Sequence, residues 1–529
     1  MNLPVDSQLS ERFLSLSWPQ WLMAGAVIRD GQDLVHLATS LTAESFVQGA
    51  VAFVVKAIYN VFFHPLRHFP GPISHRASIF PWGVQLIRGT LPFHALELHQ
   101  KYGPVVRIRP SELAFANAQA WQDIYGHKVA GKRAGLAPGV KEMPKVKMFY
   151  KAYKSQPETI ITSDHDNHAK FRKVMAPSFS EKSMRAQEPL ITKYVDLLIS
   201  RLHEYHTRGP QNMTNWYNWT TFDVIGDLAF GDSFECLEKA ESHPFIVSIF
   251  DSLQQSASLM FLRYLGLQPL ATVLMFGFLR KGLMLRAFAQ KTLKKRAESV
   301  ESRPDLIEPF LAKKDGGNFS FGQLTGMAST LLFAGSETTA STLTGVTWLL
   351  LNNPAAYEKL KAEVRSTFKS EDEINFASVQ NLSYMLACLN ESLRLFPPVA
   401  IGLPRQVPEG GATIAGHYVP EGTVVDVYQW AINRLPSNWN APTEFVPERF
   451  MGDERFQTDD QSCMRPFSVG PRDCIGKTLA YVEMRVILAR VIWNFDMELA
   501  EREDWLSKQD NYLLWRRRPL RVNLKAVAR

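Results

Sequence analysis

The chain has 529 residues, of which 46% are hydrophobic and 21% charged, and its formal net charge is +7. This is the composition of a globular protein with a sizeable apolar core. The four cysteines, Cys236, Cys388, Cys463 and Cys474, lie far apart, which excludes a disulfide scaffold and a structural zinc site. No nucleic-acid motif accompanies the positive charge, so an anionic membrane surface or an acidic protein is the expected partner.

The first predicted element is an apolar segment over 45–63. Its length of about 19 residues matches a membrane-spanning helix, although Gln48, Lys56 and Asn60 interrupt it. Glu44 precedes the segment and basic residues follow it, and this charge pattern favours membrane insertion. A buried or interfacial helix is the alternative. No small-residue cleavage site is evident, so we predict a retained anchor.

A proline-rich joint follows the apolar segment, running from His64 to Pro72. Proline ends a helix and restricts the residue before it, so the joint is predicted to be stiff and extended. We therefore predict two parts, an anchor region over 1–69 and a catalytic domain over 70–529.

The next elements are short strands, a loop and a basic helix. Pro104 to Ala116 alternates like a pair of short strands, and Ala118 to Thr162 is typical of a long loop with short helices. His168 and Arg172 then lie four positions apart, so on a helix they face the same way and can grip one anionic group. A solvated basic helix face is the alternative.

Two helices are predicted between Leu190 and Phe230. A second apolar run, over 259–279, is broken by Gly266 and Pro269 and is therefore not expected to span a membrane. Both a hydrophobic flap at a membrane surface and a plain core helix remain open for this run.

A long helix is predicted from the capping box at Ser320 and Gln323 to Asn352. At about 30 residues it is roughly 45 Å long and crosses a whole domain. Its middle, Ala334 to Thr339, is a poor helix former that costs roughly 1–2 kcal/mol. Such a local conflict indicates a functional site, and a bent structural helix is the alternative.

A further helix over Ser383 to Phe396 places Glu391 and Arg394 on one face. Short strands follow on both sides of Arg405 and up to residue 426. Asp510 to Leu524 is predicted to form a last strand pair, and Arg516, Arg517 and Arg518 a solvated run.

The segment from Phe467 to Gly476 contains a cysteine just before a predicted helix. A helix start favours negative charge, so Cys474 is placed to remain a thiolate. Gly470 permits a sharp turn, and Gly476 leaves room for a flat cofactor. Arg472 can fork onto a carboxylate. An ordinary buried cysteine is the alternative.

This segment, Phe-x-x-Gly-x-Arg-x-Cys-x-Gly, resembles the haem-binding signature of the cytochrome P450 superfamily, and four motif blocks follow the order of that family. The resemblance covers the chain from about residue 70 to its end. It implies the cytochrome P450 fold, which is mainly α with small peripheral β-sheets, and haem b between the long helix and the cysteine loop. Cys474 would then be the axial thiolate ligand of the iron, with Phe467, Gly470, Arg472 and Gly476 completing its loop.

The resemblance also implies roles in oxygen chemistry and in the fold. Thr338 would bind dioxygen, Glu337 with water would relay protons, and Gly335 would open space over the iron. Glu391 would lock Arg394 together with Arg449 in a structural triad.

Contacts to the haem propionates are expected from His168, Arg172 and Arg405 in the same way. The family usually has tryptophan where this chain has His168. Residues around His168, Arg405 and Gly411 are similar to those of fungal microsomal members of the isotrichodermin-hydroxylase type.

The function implied is a monooxygenase that inserts one oxygen atom from O2 into a lipophilic small molecule, such as a terpenoid or polyketide secondary metabolite. An axial thiolate favours O–O cleavage. The chain has no flavin or nicotinamide motif, so electrons would come from an NADPH-dependent flavoprotein reductase. Its docking face would be basic and formed by Arg172, Lys173, Arg465, Lys477 and Arg485. The expected location is the endoplasmic reticulum membrane, with one N-terminal anchor and the catalytic domain facing the cytosol.

Two other classes of protein remain open at this stage. One is a haem-thiolate isomerase or dehydratase that needs no reductase, and the other is a non-enzymatic haem-binding protein. The Glu337 and Thr338 pair counts against both, because neither needs a segment for proton delivery to oxygen.

Overall fold

The computed structural model describes residues 47–127, 140–151, 156–267, 276–299, 303–311 and 319–528, and the chain divides into two units between His64 and Pro65. In the first unit, 47–58 is an α-helix (α1) that continues as a π-helix over Tyr59–Phe63. The predicted apolar segment 45–63 therefore lies within the described residues except for 45 and 46. Its side chains are largely exposed, Phe62 by 64%. No helix among the described residues is long and apolar enough to cross a membrane.

The second unit is mainly α-helical, as predicted. Its helices lie at the following bounds: α2 Ile73–Ala77, α3 Phe80–Arg88, α4 Leu91–Tyr102, α5 Ala118–Tyr125, α6 Lys147–Tyr150, α7 His165–Met175, α8 Glu181–Tyr205, α9 Met213–Phe230, α10 Cys236–Lys239, α11 Pro244–Tyr264, α12 Phe276–Glu298, α13 Glu308–Leu311, α14 Phe321–Asn352, α15 Pro354–Thr367, α16 Ser383–Leu395, α17 Gln429–Ile432 and α18 Lys477–Asn494.

The strands form small sheets, as predicted. Their bounds are β1 Val105–Arg109, β2 Glu112–Phe115, β3 Gln211–Asn212, β4 Arg405–Gln406, β5 Ala412–Ile414, β6 His417–Val419, β7 Val424–Val427, β8 Phe495–Leu499, β9 Asp510–Asn511, β10 Trp515–Arg516 and β11 Arg521–Ala526. The largest sheet has the order β1-β2-β7-β4, and the others are β3-β11-β8, β5-β6 and β9-β10. The predicted strand pair over 104–116 is β1 and β2, whose register sets Val105 opposite Phe115.

The long predicted helix is α14, which spans 32 residues. The capping box is present, because the Ser320 hydroxyl accepts the Gln323 N–H at 3.2 Å and the Gln323 side chain accepts the Ser320 N–H at 2.9 Å. The stretch over 334–339 is helical throughout. Two of its hydroxyls donate to carbonyls one turn earlier, that of Ser336 to Leu332 at 2.7 Å and that of Thr338 to Ala334 at 2.7 Å. Such bonds satisfy hydroxyls that would otherwise compete with the helix.

Two predictions fall partly on residues that the structure does not describe. The apolar run over 259–279 corresponds to the end of α11 and the start of α12, and 268–275 lie outside the described residues. In the loop predicted over 118–162, the described part contains α5 and the short α6, whereas 128–139 and 152–155 lie outside it.

The predicted solvated run near the C-terminus is wrong at its centre. Arg517 is buried, and its guanidinium contacts α14. Charge runs are usually solvated, but here Glu337 supplies a buried partner that the local sequence does not show.

Candidate cofactor site

A cavity is bordered by α14, the cysteine loop and α18. Of the predicted site residues, Thr338, Phe467, Arg472 and Cys474 line it together. The remaining lining residues are Thr339, Thr342, Leu393, Pro398, Val399, Leu403, Gln429, Pro466, Ser468, Ala480 and Met484. Its wall is therefore largely apolar, with a sulfur and one guanidinium among the exceptions.

The cysteine loop is a tight turn that precedes α18. The Cys474 N–H donates to the Phe467 carbonyl at 2.9 Å, and α18 begins three residues after the cysteine, at Lys477. Gly470 has φ +79°, and a Cβ there would lie 2.0 Å from the Tyr125 carbonyl oxygen. Only glycine fits this position, both for its backbone conformation and for the approach of α5.

The Cys474 side chain is exposed, and its residue lines the cavity, whereas the cysteines at 236, 388 and 463 are buried. Surrounding protein desolvates the sulfur and raises the pKa of the Cys474 thiol, and the Gly476 N–H opposes this rise. The predicted effect of the helix start is thus present, but desolvation of the sulfur by the protein packed around it outweighs this effect on the pKa. A positive charge placed against the sulfur would favour the thiolate.

Gly476 has no steric reason within the protein to be glycine. A Cβ at this position would come no closer than 3.7 Å to Phe179 and 4.0 Å to the Cys474 sulfur, which is ordinary contact. The space beside the sulfur is therefore free for a flat group.

The predicted basic residues flank the cavity and contact acids and carbonyls. Arg172 donates to the Asp473 carbonyl at 2.8 Å and to its carboxylate at 2.6 Å, directly beside Cys474. Arg472 donates from Nε to Glu142 at 3.0 Å and from its other arm to the Ser163 carbonyl at 3.0 Å.

Arg405 is buried and donates to the Tyr150 hydroxyl at 2.7 Å. Sequence reasoning missed its neighbour Lys145, because that residue lies in an irregular stretch without a motif. Burial, then the charges of Arg405 and Arg472, hold the pKa of Lys145 well below its usual range. The cations therefore repel one another and would be stabilised by an anionic group.

His168 is buried, and burial followed by the charges of Arg472, Lys145 and Arg172 lowers its pKa to about 3. It is therefore neutral at physiological pH. His168 can still donate one N–H to an anion, but it adds no positive charge to the anion-binding site predicted for His168 and Arg172.

Glu337 does not line the cavity. Its carboxylate accepts the Asn218 amide at 2.9 Å on one oxygen and the Arg517 guanidinium at 2.8 Å on the other. Burial raises the pKa of Glu337, and Arg517 and Asn218 oppose this rise. In this arrangement Thr338 reaches the cavity and Glu337 does not.

The interpretation of Gly335 as an opening above the iron is wrong in this structure. A Cβ on Gly335 would lie 2.8 Å from two side-chain atoms of Ile225 in α9. The missing side chain makes room for close packing of α9 on α14.

Glu391, Arg394 and Arg449 form a fully buried triad outside the cavity lining. Arg394 donates to both Glu391 oxygens at 2.7 Å, and Arg449 donates to Glu391 Oε1 at 3.2 Å. Arg449 also pairs with Asp459. The arrangement links α16 to the segment that precedes the cysteine loop.

These features together fit a haem. The cavity offers a thiol, a largely apolar wall and space beside the sulfur, and cations that lack sufficient counter-charge lie at one edge. A flat apolar ring with two carboxylates matches each of them.

Comparison with known proteins agrees with this fit. A family model described as cytochrome P450 matches residues 70–524. The chain is 50% identical over 477 residues to cytochrome P450 monooxygenase tpeC of Talaromyces stipitatus, covering 90% of this chain and 93% of the relative.

Two further relatives are similar over nearly their whole length. Trichothecene C-15 hydroxylase of Fusarium sporotrichioides is 40% identical, with 92% of this chain and 98% of the relative covered. Cytochrome P450 monooxygenase efuB of Hormonema carpetanum is 39% identical, with 94% and 100% covered.

Proposed function

The chain belongs to the cytochrome P450 family and is a haem-thiolate monooxygenase, and on this premise we propose which of its residues hold the cofactor and which substrate class it oxidises. Haem b supplies the activation of dioxygen when it is bound. The single observation that carries the assignment is Cys474, because it is the cysteine whose residue lines the cavity between α14 and α18.

Cys474 is proposed as the axial ligand, with Phe467, Gly470 and Gly476 shaping its loop. The propionates are assigned to the basic edge, which consists of His168, Arg172, Arg405 and Arg472 together with Lys145. In this structure Arg172 pairs with Asp473 and Arg472 pairs with Glu142. Each guanidinium would share its N–H groups between that acid and a bound carboxylate.

Thr338 is proposed as the residue that donates a hydrogen bond to dioxygen and, once the reductase has supplied electrons, a proton. Its hydroxyl donates to the Ala334 carbonyl in this structure, so it must rotate away from Ala334 before it can donate to dioxygen in the cavity. Glu337 is proposed to replenish that proton through water, which requires its carboxylate to leave Asn218 or Arg517.

The substrate class is proposed to be a lipophilic secondary metabolite, such as a terpenoid or polyketide. Apolar residues of the cavity wall, among them Val399 and Leu403, favour an apolar substrate. A relative named trichothecene C-15 hydroxylase supports the same class.

Electrons are proposed to come from an NADPH-dependent flavoprotein reductase. The anchor over 45–63, the domain boundary near residue 70 and a location at the endoplasmic reticulum membrane remain proposals as well. Exposed apolar side chains along 47–63 support the anchor, for example Val51 at 56% and Phe63 at 66%.

The decisive experiment is spectroscopic and chemical. Reduced protein with carbon monoxide should show the thiolate-type absorbance, and Cys474→Ala should abolish it, whereas Cys463→Ala should retain it because Cys463 is buried elsewhere. Turnover of candidate terpenoids and polyketides under labelled dioxygen should place one labelled atom in the product. A wild-type protein whose iron carries a nitrogen ligand, or a product without label, would contradict the proposal.

A further inference from the structure

Two imidazole rings, those of His75 and His94, meet through their Nε2 atoms near the start of the second unit. The two Nε2 atoms lie 3.0 Å apart, and the ring planes differ by 25°. His75 belongs to α2, the first helix after the proline joint, and exposes 3% of its surface, whereas His94 belongs to α4. Neither residue lines the cofactor cavity, so the pair lies outside the proposed haem site.

The outer nitrogen of each ring has a partner of its own. Nδ1 of His75 lies 2.7 Å from the Ile108 carbonyl oxygen in β1, which can only accept, so neutral His75 carries its hydrogen on Nδ1. Its Nε2 is then an acceptor, and His94 donates to it. His94 can donate in either charge state, because the second N–H of its imidazolium form faces Glu97 at 3.2 Å. His75, in contrast, can accept only while it is neutral.

The pair connects α2 to the rest of the second unit. Just before α2, the Arg107 N–H of β1 donates to the Pro70 carbonyl at 2.7 Å. Within α2, the Arg76 N–H donates to the Pro72 carbonyl at 3.0 Å. A helix of five residues is not stable by its own backbone bonds, so its tertiary contacts decide whether it stays in place. The two bonds of His75 are such contacts.

We propose that His75 and His94 form a pH-sensitive latch, which holds α2 against α4 and β1 while His75 is neutral and releases it when His75 gains a second proton. That proton would occupy Nε2 of His75 and set two N–H groups against each other at 3.0 Å. The proline joint leads directly into α2, so the latch would fix the point where the chain enters the catalytic domain.

The surroundings of His75 favour the closed latch at neutral pH. Burial lowers the pKa of His75, the Ile108 carbonyl opposes this change, and His94 lowers the pKa further. Neutral His75 therefore predominates above the ordinary histidine value of about 6.5, and the latch should open as the pH falls below it.

Little negative charge is available nearby to stabilise a second proton. Glu97 is the one acid in α2, α3, α4 and β1, and its side chain is 72% exposed. The other titratable residues of these elements are Arg76, Arg88, His99, Lys101, Tyr102, Arg107 and Arg109. Nearly all of them are basic, so they add to the cost of a charged His75 rather than reduce it.

Hydrogen exchange of the full-length holoprotein, followed by mass spectrometry at about pH 7.5 and about pH 5, tests the latch. The amides of Arg76 and Ser78 are the relevant probes because they bond within α2. After correction for the intrinsic exchange rate, their protection should fall about five-fold at the lower pH, the effect expected of one lost hydrogen bond. Amides in the middle of α14 should keep their protection and serve as the internal reference.

His94→Gln distinguishes a pH-sensitive contact from a merely structural one. Its amide can donate an N–H to neutral His75 or, after turning over, accept from protonated His75 through its oxygen. In this variant α2 should therefore stay protected at both pH values. His75→Phe cannot titrate, and its α2 should show low protection that does not change with pH.

The matched control is His99→Gln. His99 lies in the same helix as His94 and is buried, but its Nδ1 bonds to the Gly103 carbonyl at 2.9 Å. Burial lowers the pKa of His99 to about 4, below the range tested, so this variant should respond to pH as the wild type does.

Two results would overturn the inference. One is protection of α2 that does not depend on pH in the wild type, and the other is a wild-type loss of protection in His94→Gln. The carbon monoxide spectrum should be unchanged in all three variants because none of these residues lines the cavity. A failure of the latch and a failure of the haem site can therefore be told apart.

Discussion

Arg517 of the C-terminal segment forms a buried ion pair with Glu337 of α14. The guanidinium lies 2.8 Å from Glu337 Oε2, and both side chains are 1% exposed. Arg517 also donates to the Glu337 carbonyl at 3.1 Å and to Ser341 at 2.9 Å. The C-terminal segment thereby fixes the acid of the proposed proton relay, and it turns that acid away from the cavity that Thr338 lines.

Removal of Arg517 is expected to destabilise the protein strongly. Arg517→Ala leaves Glu337 buried without its counter-charge, which typically costs about 3–5 kcal/mol. Urea unfolding should show this loss, and Arg517→Met combined with Glu337→Gln should recover most of it because no unpaired charge remains. Equal stability of Arg517→Ala and wild type would contradict the pairing. Arg517→Lys should be intermediate, since lysine lacks the fork that reaches Ser341.

Gly335→Ala is expected to disturb helix packing rather than oxygen chemistry. The new Cβ would lie 2.8 Å from Ile225, and overpacking of this kind costs typically about 1–3 kcal/mol. Gly335→Ala with Ile225→Val should regain only part of the stability, because valine lacks the Cδ1 atom but keeps a Cγ atom at the same 2.8 Å. If the single variant keeps wild-type stability but loses coupling of electrons to product, the original placement of Gly335 above the iron would be restored.

Substitutions at two turn residues of the cysteine loop, Ser468 and Gly470, should change thermal stability in opposite directions. Ser468 has φ +60°, which is strained for a side chain, whereas Gly470 has φ +79° and no space for a Cβ. Ser468→Gly should relieve about 1 kcal/mol of strain and raise the thermal midpoint. Gly470→Ala should lower the midpoint and the haem content, as measured by absorbance. A stable, fully loaded Gly470→Ala would show that the loop can shift away from Tyr125.

Glu483 in α18 should make stability fall as the pH rises. It is buried, and burial raises its pKa to about 8, so the folded protein keeps a proton that the unfolded chain releases at ordinary pH. Above its unfolded pKa the unfolded chain releases this proton freely, whereas the folded protein holds it. The contribution of Glu483 to stability is therefore smallest at high pH. The loss should approach about 1.4 kcal/mol per pH unit between roughly pH 5 and 8.

Glu483→Gln removes this ionisation without changing the shape of the side chain. The variant should match wild type near pH 5 to within about 1 kcal/mol and become progressively more stable than wild type up to pH 8. Urea midpoints at several pH values measure the difference. Parallel pH profiles would show that Glu483 is ionised or paired in the folded state.

The rate of reduction by the reductase should depend on the positive charge of the proposed docking face. Lys173 and Lys477 are exposed on the side of the molecule that carries Arg172 and the cysteine loop. Replacing both with glutamate should slow reduction by the reductase on the order of ten-fold at low ionic strength, with less effect in high salt. Lys508→Glu, also exposed, is the control. Equal slowing in the control would indicate general charge repulsion rather than a docking face.

The sequence predicted the mainly α fold, the bounds of α14 and the cysteine loop, because each depends on local signals. Capping at Ser320, the turn at Gly470 and the helical period after Cys474 are such signals. The contacts of Arg517 and Lys145 were missed because their partners are distant in the chain and no motif surrounds them. Gly335 was misplaced for the same reason, since the packing of Ile225 is a tertiary effect.

Arg172 and Asp473 are 301 positions apart, yet their contact closes the loop beside Cys474, the proposed ligand. The ribosome adds Arg172 long before Asp473, so the growing chain has the basic residue without the cysteine loop for most of its synthesis. A truncation before residue 473 would leave the basic edge without Cys474, so we expect no haem binding until the last part of the chain has been synthesised.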